Sequence, residues 1–190
     1  MHPASTASIG TDAPSTTPIM KATVIQAPEW PDHMVKPLIF LAGTTTPTAD
    51  GDWRQRLVNR LSQYPVTFLD PKNKNWDLTW IEDFSDTRWT RQIRWELDLQ
   101  EQADIVVVFF HESTLAPVSL LELGMHARSG KAIACAIPGY AKRGNVQAAC
   151  GMYDGEFVTS EEELAQAVES RLRDRFKLGN IEATAGLRGD

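Results

Sequence analysis

The run Ile105-Val106-Val107-Val108-Phe109-Phe110 constrains this chain more than any other segment. Six consecutive apolar residues leave neither face of a strand for solvent, so the strand is buried on both sides. A strand of that kind belongs to a parallel sheet covered by helices on both faces. After a short polar loop comes Ala116-Pro117-Val118-Ser119-Leu120-Leu121-Glu122-Leu123-Gly124-Met125-His126-Ala127, which reads as a helix opening at the carboxyl edge of that strand. In open α/β sheets that edge is where ligands bind. Glu122 lies in an otherwise apolar first turn, where the positive end of the helix dipole keeps a carboxylate ionised and able to act as a nucleophile. Ser119 and Glu122 equally fit a capping box, in which the Glu only satisfies backbone donors.

Elsewhere short apolar runs alternate with helix-length stretches. Leu38 to Ala42 precedes a helix from Asp52 to Gln63, and Val66 to Leu69 precedes one from Thr90 to Gln102. Beyond the Glu122 helix come Ala132 to Ile137, a weak strand near Glu156 to Val158, and a helix from Ser160 to Phe176. With right-handed crossovers, the compact solution is a flavodoxin-like (Rossmann-like) three-layer α/β sandwich of about five parallel strands in order 2-1-3-4-5. Residues 1–35, rich in Ser, Thr, Ala and Pro, read as a disordered or arm-like tail. Within it Met20 to Gln26 is a candidate extended piece, with Trp30 as an anchor. Residues 36–178 form the domain, and 179–190 a flexible C-terminal tail.

A formal charge of -6 and a pI near 5.2 argue against a nucleic-acid polymer as ligand, since such binders carry a basic face. No apolar run approaches the roughly 18 residues of a membrane span, and no signal-peptide pattern opens the chain, so a cytoplasmic protein without membrane attachment is expected. Cys135 and Cys150 have no metal or redox spacing and read as reduced, structural residues.

The parallel topology collects four loops on one edge. In the first, Gly43 permits close backbone approach, and Thr44, Thr45 and Thr46 offer hydroxyls to phosphate or sugar oxygens. The second, from Asp70 to Asp86, is long enough to be functional; Asn75 is a candidate for a base edge or sugar, and Trp76 or Trp80 for stacking. Trp53, Trp89 and Trp95, on helices, read as packing residues. The helix before Asp104 carries Arg88, Arg91, Arg94, Glu96, Asp98 and Glu101, most simply a solvated charged face.

The segment Leu120-Leu121-Glu122-Leu123-Gly124-Met125-His126-Ala127-Arg128-Ser129-Gly130-Lys131 resembles the signature of the nucleoside 2-deoxyribosyltransferase family, whose catalytic Glu precedes an aliphatic residue and a Gly. Gly43 and Thr44 match that family's first loop. Pro138-Gly139-Tyr140-Ala141-Lys142-Arg143-Gly144-Asn145-Val146 is similar to the Lys/Arg-Gly-Asn-Val element of a branch that also carries Trp-x-x-Glu and Leu-Leu-Glu-Leu-Gly. The resemblance covers roughly residues 37 to 155. In the related deoxynucleotide hydrolases an acidic residue stands eight positions ahead of the Asp that opens the third strand. Here that position is Glu96, a Glu where the family usually shows Asp, with Asp98 as its competitor. The aromatic hydroxyl that deoxyribosyltransferases use near the first strand to orient their nucleophile has no counterpart, because Phe40 carries none.

The resemblance implies N-glycosidic bond cleavage or transfer on a nucleoside or nucleotide. Glu122 would be the nucleophile, Glu96 or Asp98 the acid/base, and Gly43, Thr44, Thr45, Asp70, Asn75, Trp76, Arg91, Arg143 and Asn145 the substrate contacts. No metal or other cofactor is implied. A nucleoside 5'-monophosphate is the alternative substrate, its phosphate held by Arg91, Lys142, Arg143 or the threonine hydroxyls. A non-catalytic nucleotide-binding or interaction module on the same fold is the rival of another class. The resemblance further implies a homodimer or higher homo-oligomer, with Leu123, Met125, Ala127, Trp89 and Trp95 as the candidate interface.

Overall fold

A computed structural model describes residues 21–46, 48–153 and 155–179. Six parallel strands form one sheet: β1 (Thr23–Gln26), β2 (Leu38–Gly43), β3 (Thr67–Asp70), β4 (Ile105–Phe110), β5 (Ala132–Ala136) and β6 (Glu156–Val158). Their spatial order is β1-β3-β2-β4-β5-β6. The crossovers run through α1 (Trp53–Arg60), α2 (Thr87–Gln102), α3 (Pro117–His126) and α4 (Arg143–Met152), and α5 (Glu161–Phe176) follows β6.

The expected order 2-1-3-4-5 is present as β3-β2-β4-β5-β6, and the departure is a sixth strand. β1 comes from the stretch expected to be tail or arm and pairs in parallel with β3, from Thr23↔Thr67 to Gln26↔Asp70. Without it the buried β3 would be a bare edge with unpaired backbone groups. Ile25 turns inward while Val24 faces out, the alternation of a strand with one covered face. Trp30 does not anchor this segment, being half exposed; instead the Trp95 indole N–H donates to the Glu29 carbonyl at 2.8 Å. Residues 1–20 of the expected tail, and all of the C-terminal tail but Gly179, lie outside the described residues.

Every residue of β4 is buried, and its side chains alternate between two cores. Val106, Val108 and Phe110 pack with Trp95 and Leu99 of α2, Leu123 of α3 and Val146 and Cys150 of α4. Ile105, Val107 and Phe109 pack with Trp53 and Leu57 of α1 and Leu164, Val168 and Leu172 of α5. Cys135 and Cys150 are free, buried and in different layers. Asp104, the residue that opens β4, accepts from the Leu38 amide at 2.9 Å and so sets where β2 and β4 begin together. Among the described residues no helix is long and apolar enough to cross a membrane.

β2 ends at Gly43, which pairs with Phe109 at φ 125°, a backbone region that favours glycine. A Cβ there would overlap the Phe109 backbone. Gly43→Ala should therefore destabilise the protein by more than the roughly 1–3 kcal/mol typical of such a strained backbone, read as a lowered urea midpoint. An unchanged midpoint would contradict the close approach of β2 to β4.

Candidate active site

The first turn of α1 shapes the end of β2. Arg54 is 3 % exposed, and its guanidinium donates to three carbonyls at and just beyond the end of β2: Leu41 from Nε at 3.0 Å, Gly43 from Nη2 at 3.0 Å and Thr44 from Nη1 at 2.9 Å. Its Nε also lies 3.5 Å from Asp70 Oδ1, at the end of β3. The Trp53 indole N–H adds a second bond to the Thr44 carbonyl at 2.9 Å. Thr44 is itself locked to β4, its amide donating to the Phe109 carbonyl at 2.8 Å and its Oγ1 accepting from the His111 amide at 3.0 Å. This hydroxyl is thus engaged inside the protein. What the loop presents to a cavity of about 520 Å³ is a rigid backbone edge, and that volume suits a small molecule.

One face of α2 forms the opposite wall. Gln92, Glu96 and Gln100 recur every four residues, so they stack along the helix facing α3 and the sheet. Gln92 Nε2 donates to Glu96 Oε1 and to the Pro71 carbonyl, both at 2.8 Å, while its Oε1 accepts from Asn73 Nδ2 at 2.8 Å. The loop after β3 is thereby fastened to the acidic side chain. Asp86 caps α2, accepting from the Arg88 amide at 2.9 Å. Trp76 and Trp80 sit 4.7 Å apart in that loop, and Trp76 and Trp89 reach the cavity.

α3 supplies Glu122. The helix opens at Pro117 behind Ala116, which has a left-handed backbone and gives no side-chain cap. Proline is pre-organised for the first helical position, so the helix starts before Ser119 and the capping box does not form. Ser119 and Glu122 are instead buried within the helix. Gln100 Nε2 donates to Glu122 Oε1 at 2.7 Å, and Gln100 Oε1 pairs with His126 Nε2 at 3.0 Å.

Two carboxyls with raised pKa values share this cavity. Burial above all, then the negative charge of Glu96, pushes Glu122 up to about 7 against opposing contributions from Gln100, Arg54 and Ser119. Burial raises Glu96 too, opposed by Gln92 and Arg54. The expectation that the helix dipole keeps Glu122 ionised is therefore corrected. As the sixth helical residue it lies beyond the first turn where that field acts, and desolvation dominates.

Of the residues expected at the site, Gly43, Thr44, Thr45, Trp76, Glu96 and Glu122 line the cavity. Asp70 lies beneath it, bound by Arg54, Lys72 N and Gln26. Asn75 is exposed on the loop, and Arg91 and Asp98 are on the solvent side of α2, so Glu96 is the α2 acid that meets Glu122's cavity. Arg143 and Asn145 belong to α4, a helix where the sequence indicated a loop, and do not line the cavity. Arg143 instead donates to the Ala136 carbonyl at 3.3 Å and lies over the Phe157 ring. Of the expected interface residues, Leu123, Ala127 and Trp95 are buried in the chain's own core, while Met125 is exposed as expected, together with Val118 and Leu121 of α3. The residues that sequence reasoning missed are Arg54, Gln92, Gln100 and the cavity role of Trp89. The four-residue spacing of Gln92, Glu96 and Gln100 was the available signal.

The raised carboxyl has a stability consequence. Its folded-state pKa of about 7 lies above the ordinary 4.5, so the folded state holds the proton more tightly. Stability is greatest below pH 4.5 and falls as pH rises toward 7, by on the order of 3 kcal/mol for this group. Glu122→Gln should accordingly raise Tm at pH 8 and lose most of that advantage at pH 4.5. An equal Tm difference at both pH values would contradict the buried, proton-holding carboxyl.

Comparison with known proteins agrees with this architecture. The family described as "Nucleoside 2-deoxyribosyltransferase like" matches residues 36–140. No curated protein matches the chain. Among solved structures, a conserved protein from Enterococcus faecalis V583 superposes with a TM-score of 0.50 at 14% identity, covering 74% of this chain and 100% of that one, a likeness of fold. The matched stretch runs from before β2 through β4, α3 and β5, more than half of the chain, and so this chain belongs to the nucleoside 2-deoxyribosyltransferase-like family.

Proposed function

We propose that this protein cleaves the N-glycosidic bond of a 2'-deoxynucleoside through Glu122, passing the sugar to water or to a second base. The observation that carries this reading is the pair of carboxyls whose pKa values burial raises, Glu122 and the half-buried Glu96, lining one cavity that Trp76 and Trp89 also line. A Glu122 oxygen attacks the anomeric carbon as the bond from that carbon to the base nitrogen breaks. The electron pair leaves on the base, which takes a proton from Glu96. Water, or an acceptor base, then gives a proton back to Glu96 and attacks the same carbon, releasing Glu122. The competent state has Glu122 ionised and Glu96 protonated; in the empty site burial and the charge of Glu96 favour the proton on Glu122, opposed by Gln100, Arg54 and Ser119, so the proton must pass to Glu96 before attack. The tryptophan faces would hold the base.

A 5'-monophosphate is the less suited substrate. Arg91, Lys142 and Arg143, the cations expected to hold a phosphate, are not among the cavity residues. Of the two cations that are, Arg54 is spent on three carbonyls and Asp70, and Lys72 pairs with Asp52 at 2.9 Å. Glu82 and the ionised member of the Glu96 and Glu122 pair add like charge. Deoxynucleosides should therefore be cleaved in preference to their monophosphates, by about tenfold or more in kcat/KM; the reverse preference would overturn this choice of substrate.

Glu122→Ala should abolish base release while the protein remains folded, and Glu96→Gln should slow it about a hundredfold. In the wild type, kcat/KM should be bell-shaped in pH, because the competent state keeps one proton on the pair: it rises as the first proton is lost and falls as the second leaves. Liquid chromatography of free base released from a nucleoside panel, with and without acceptor bases, checks all three. Full activity in a folded Glu122→Ala protein would contradict the mechanism, and a wild type inert toward every nucleoside would favour the non-catalytic module.

A further inference from the structure

Glu122 receives a side-chain hydrogen bond from a residue of another helix, and that residue is itself held by a third. Gln100 is fully buried, His126 is 3 % exposed and Glu122 8 % exposed, so the three side chains form an internal link from α2 to two successive turns of α3. Gln100 Nε2 reaches Glu122 Oε1 at 2.7 Å and Gln100 Oε1 reaches His126 Nε2 at 3.0 Å. The direction of this line is fixed by chemistry. An ionised carboxylate only accepts, so it takes an N–H of the Gln100 amide; the amide oxygen then faces His126 and must accept from an Nε2–H. A carboxamide without its second contact could rotate, turning its oxygen against the carboxylate. Phe40, in the middle of β2, packs against Trp95 with ring centroids 6.1 Å apart.

Resting on the reading of Glu122 as the nucleophile, we propose that Gln100 and His126 are a positioning pair: His126 fixes the amide of Gln100, and Gln100 holds Glu122 in its attacking orientation. Neither residue lines the cavity, so neither meets the substrate. The groups facing Glu122 are Glu96 and Gln100 from α2, Arg54 from α1 and Ser119 from its own helix. Those acting on His126 are Lys131 and Glu101, of opposite sign. Gln100 is thus the neutral donor that opposes the charge of Glu96 at the nucleophile.

The test compares Gln100→Leu, His126→Phe and His126→Gln. Leu fills the glutamine's space without a donor, Phe fills the imidazole's space without one, and Gln restores an N–H near the position of Nε2. Gln100→Leu should lower kcat about tenfold or more on a deoxynucleoside with KM little changed, and should shift the acid limb of the pH profile upward, because the lost donor favoured the ionised form. His126→Phe should do the same to a smaller extent, and His126→Gln should recover most of the loss. A carbon-13 titration of the Glu122 carboxyl, assigned by its absence in Glu122→Gln, gives the same answer without turnover: its pKa should rise in Gln100→Leu and in His126→Phe. Unmoved pKa and kcat in folded variants, with only a lower Tm, would overturn the proposal and leave the pair a packing feature. A wild type that cleaves no nucleoside, with the carboxyl pKa still rising in the variants, would overturn the functional reading and retain the pair as the holder of Glu122.

Discussion

A single buried guanidinium organises the edge of the sheet on which everything else rests. Arg54 joins the carbonyls of Leu41, Gly43 and Thr44 and lies beside Asp70, so the ends of β2 and β3 are drawn to one point. Breaking a buried, fully bonded charge typically costs about 3–5 kcal/mol, against roughly 0–1 kcal/mol for an exposed ion pair such as Arg60 with Glu162. The cavity wall is therefore stiff at the β2 end. The same positive charge lowers the cost of holding Glu96 and Glu122 nearby, since it opposes the shift of both.

The two acids illustrate how a fold holds ionisable groups against its own stability. Each is drawn out of water by α2 and α3 packing on the sheet, and each retains one amide donor, Gln92 for Glu96 and Gln100 for Glu122. One hydrogen bond to a charged group contributes about 1.5–3 kcal/mol, while desolvating a carboxylate costs several. Desolvation wins at both sites, which is why both pKa values go up. A carboxyl whose pKa burial has raised is suited to chemistry in which a proton must be given and taken back.

Much of this was legible in the residues themselves. The run from Ile105 to Phe110 required cover on both faces, and that requirement alone leads to the parallel sheet and to Glu122 at its carboxyl edge. Other elements lacked a decisive local signal. β1 is four residues inside Met20 to Gln26, the candidate extended piece, too short to identify as a strand by itself, and it is one because β3 offers it an edge. α4 buries Val146 and Cys150, too few residues to outweigh the turn-like Pro138-Gly139 and Gly144-Asn145 nearby. The choice between Glu96 and Asp98 depended on which side of α2 meets α3, a tertiary fact. The dipole argument for an ionised Glu122 failed on magnitude: about 0.3–1 kcal/mol from a helix terminus is smaller than the cost of burial.

The central claim is that Glu122 bonds covalently to the sugar. Acid quenching during turnover of a deoxynucleoside in the absence of acceptor base, followed by intact-mass and peptide mass spectrometry, examines that bond directly. The account predicts a fraction of the protein carrying one deoxyribosyl group, on the peptide containing Glu122, and none in Glu122→Ala. Base release by the wild type with no such adduct, or with the sugar on a different residue, would contradict it.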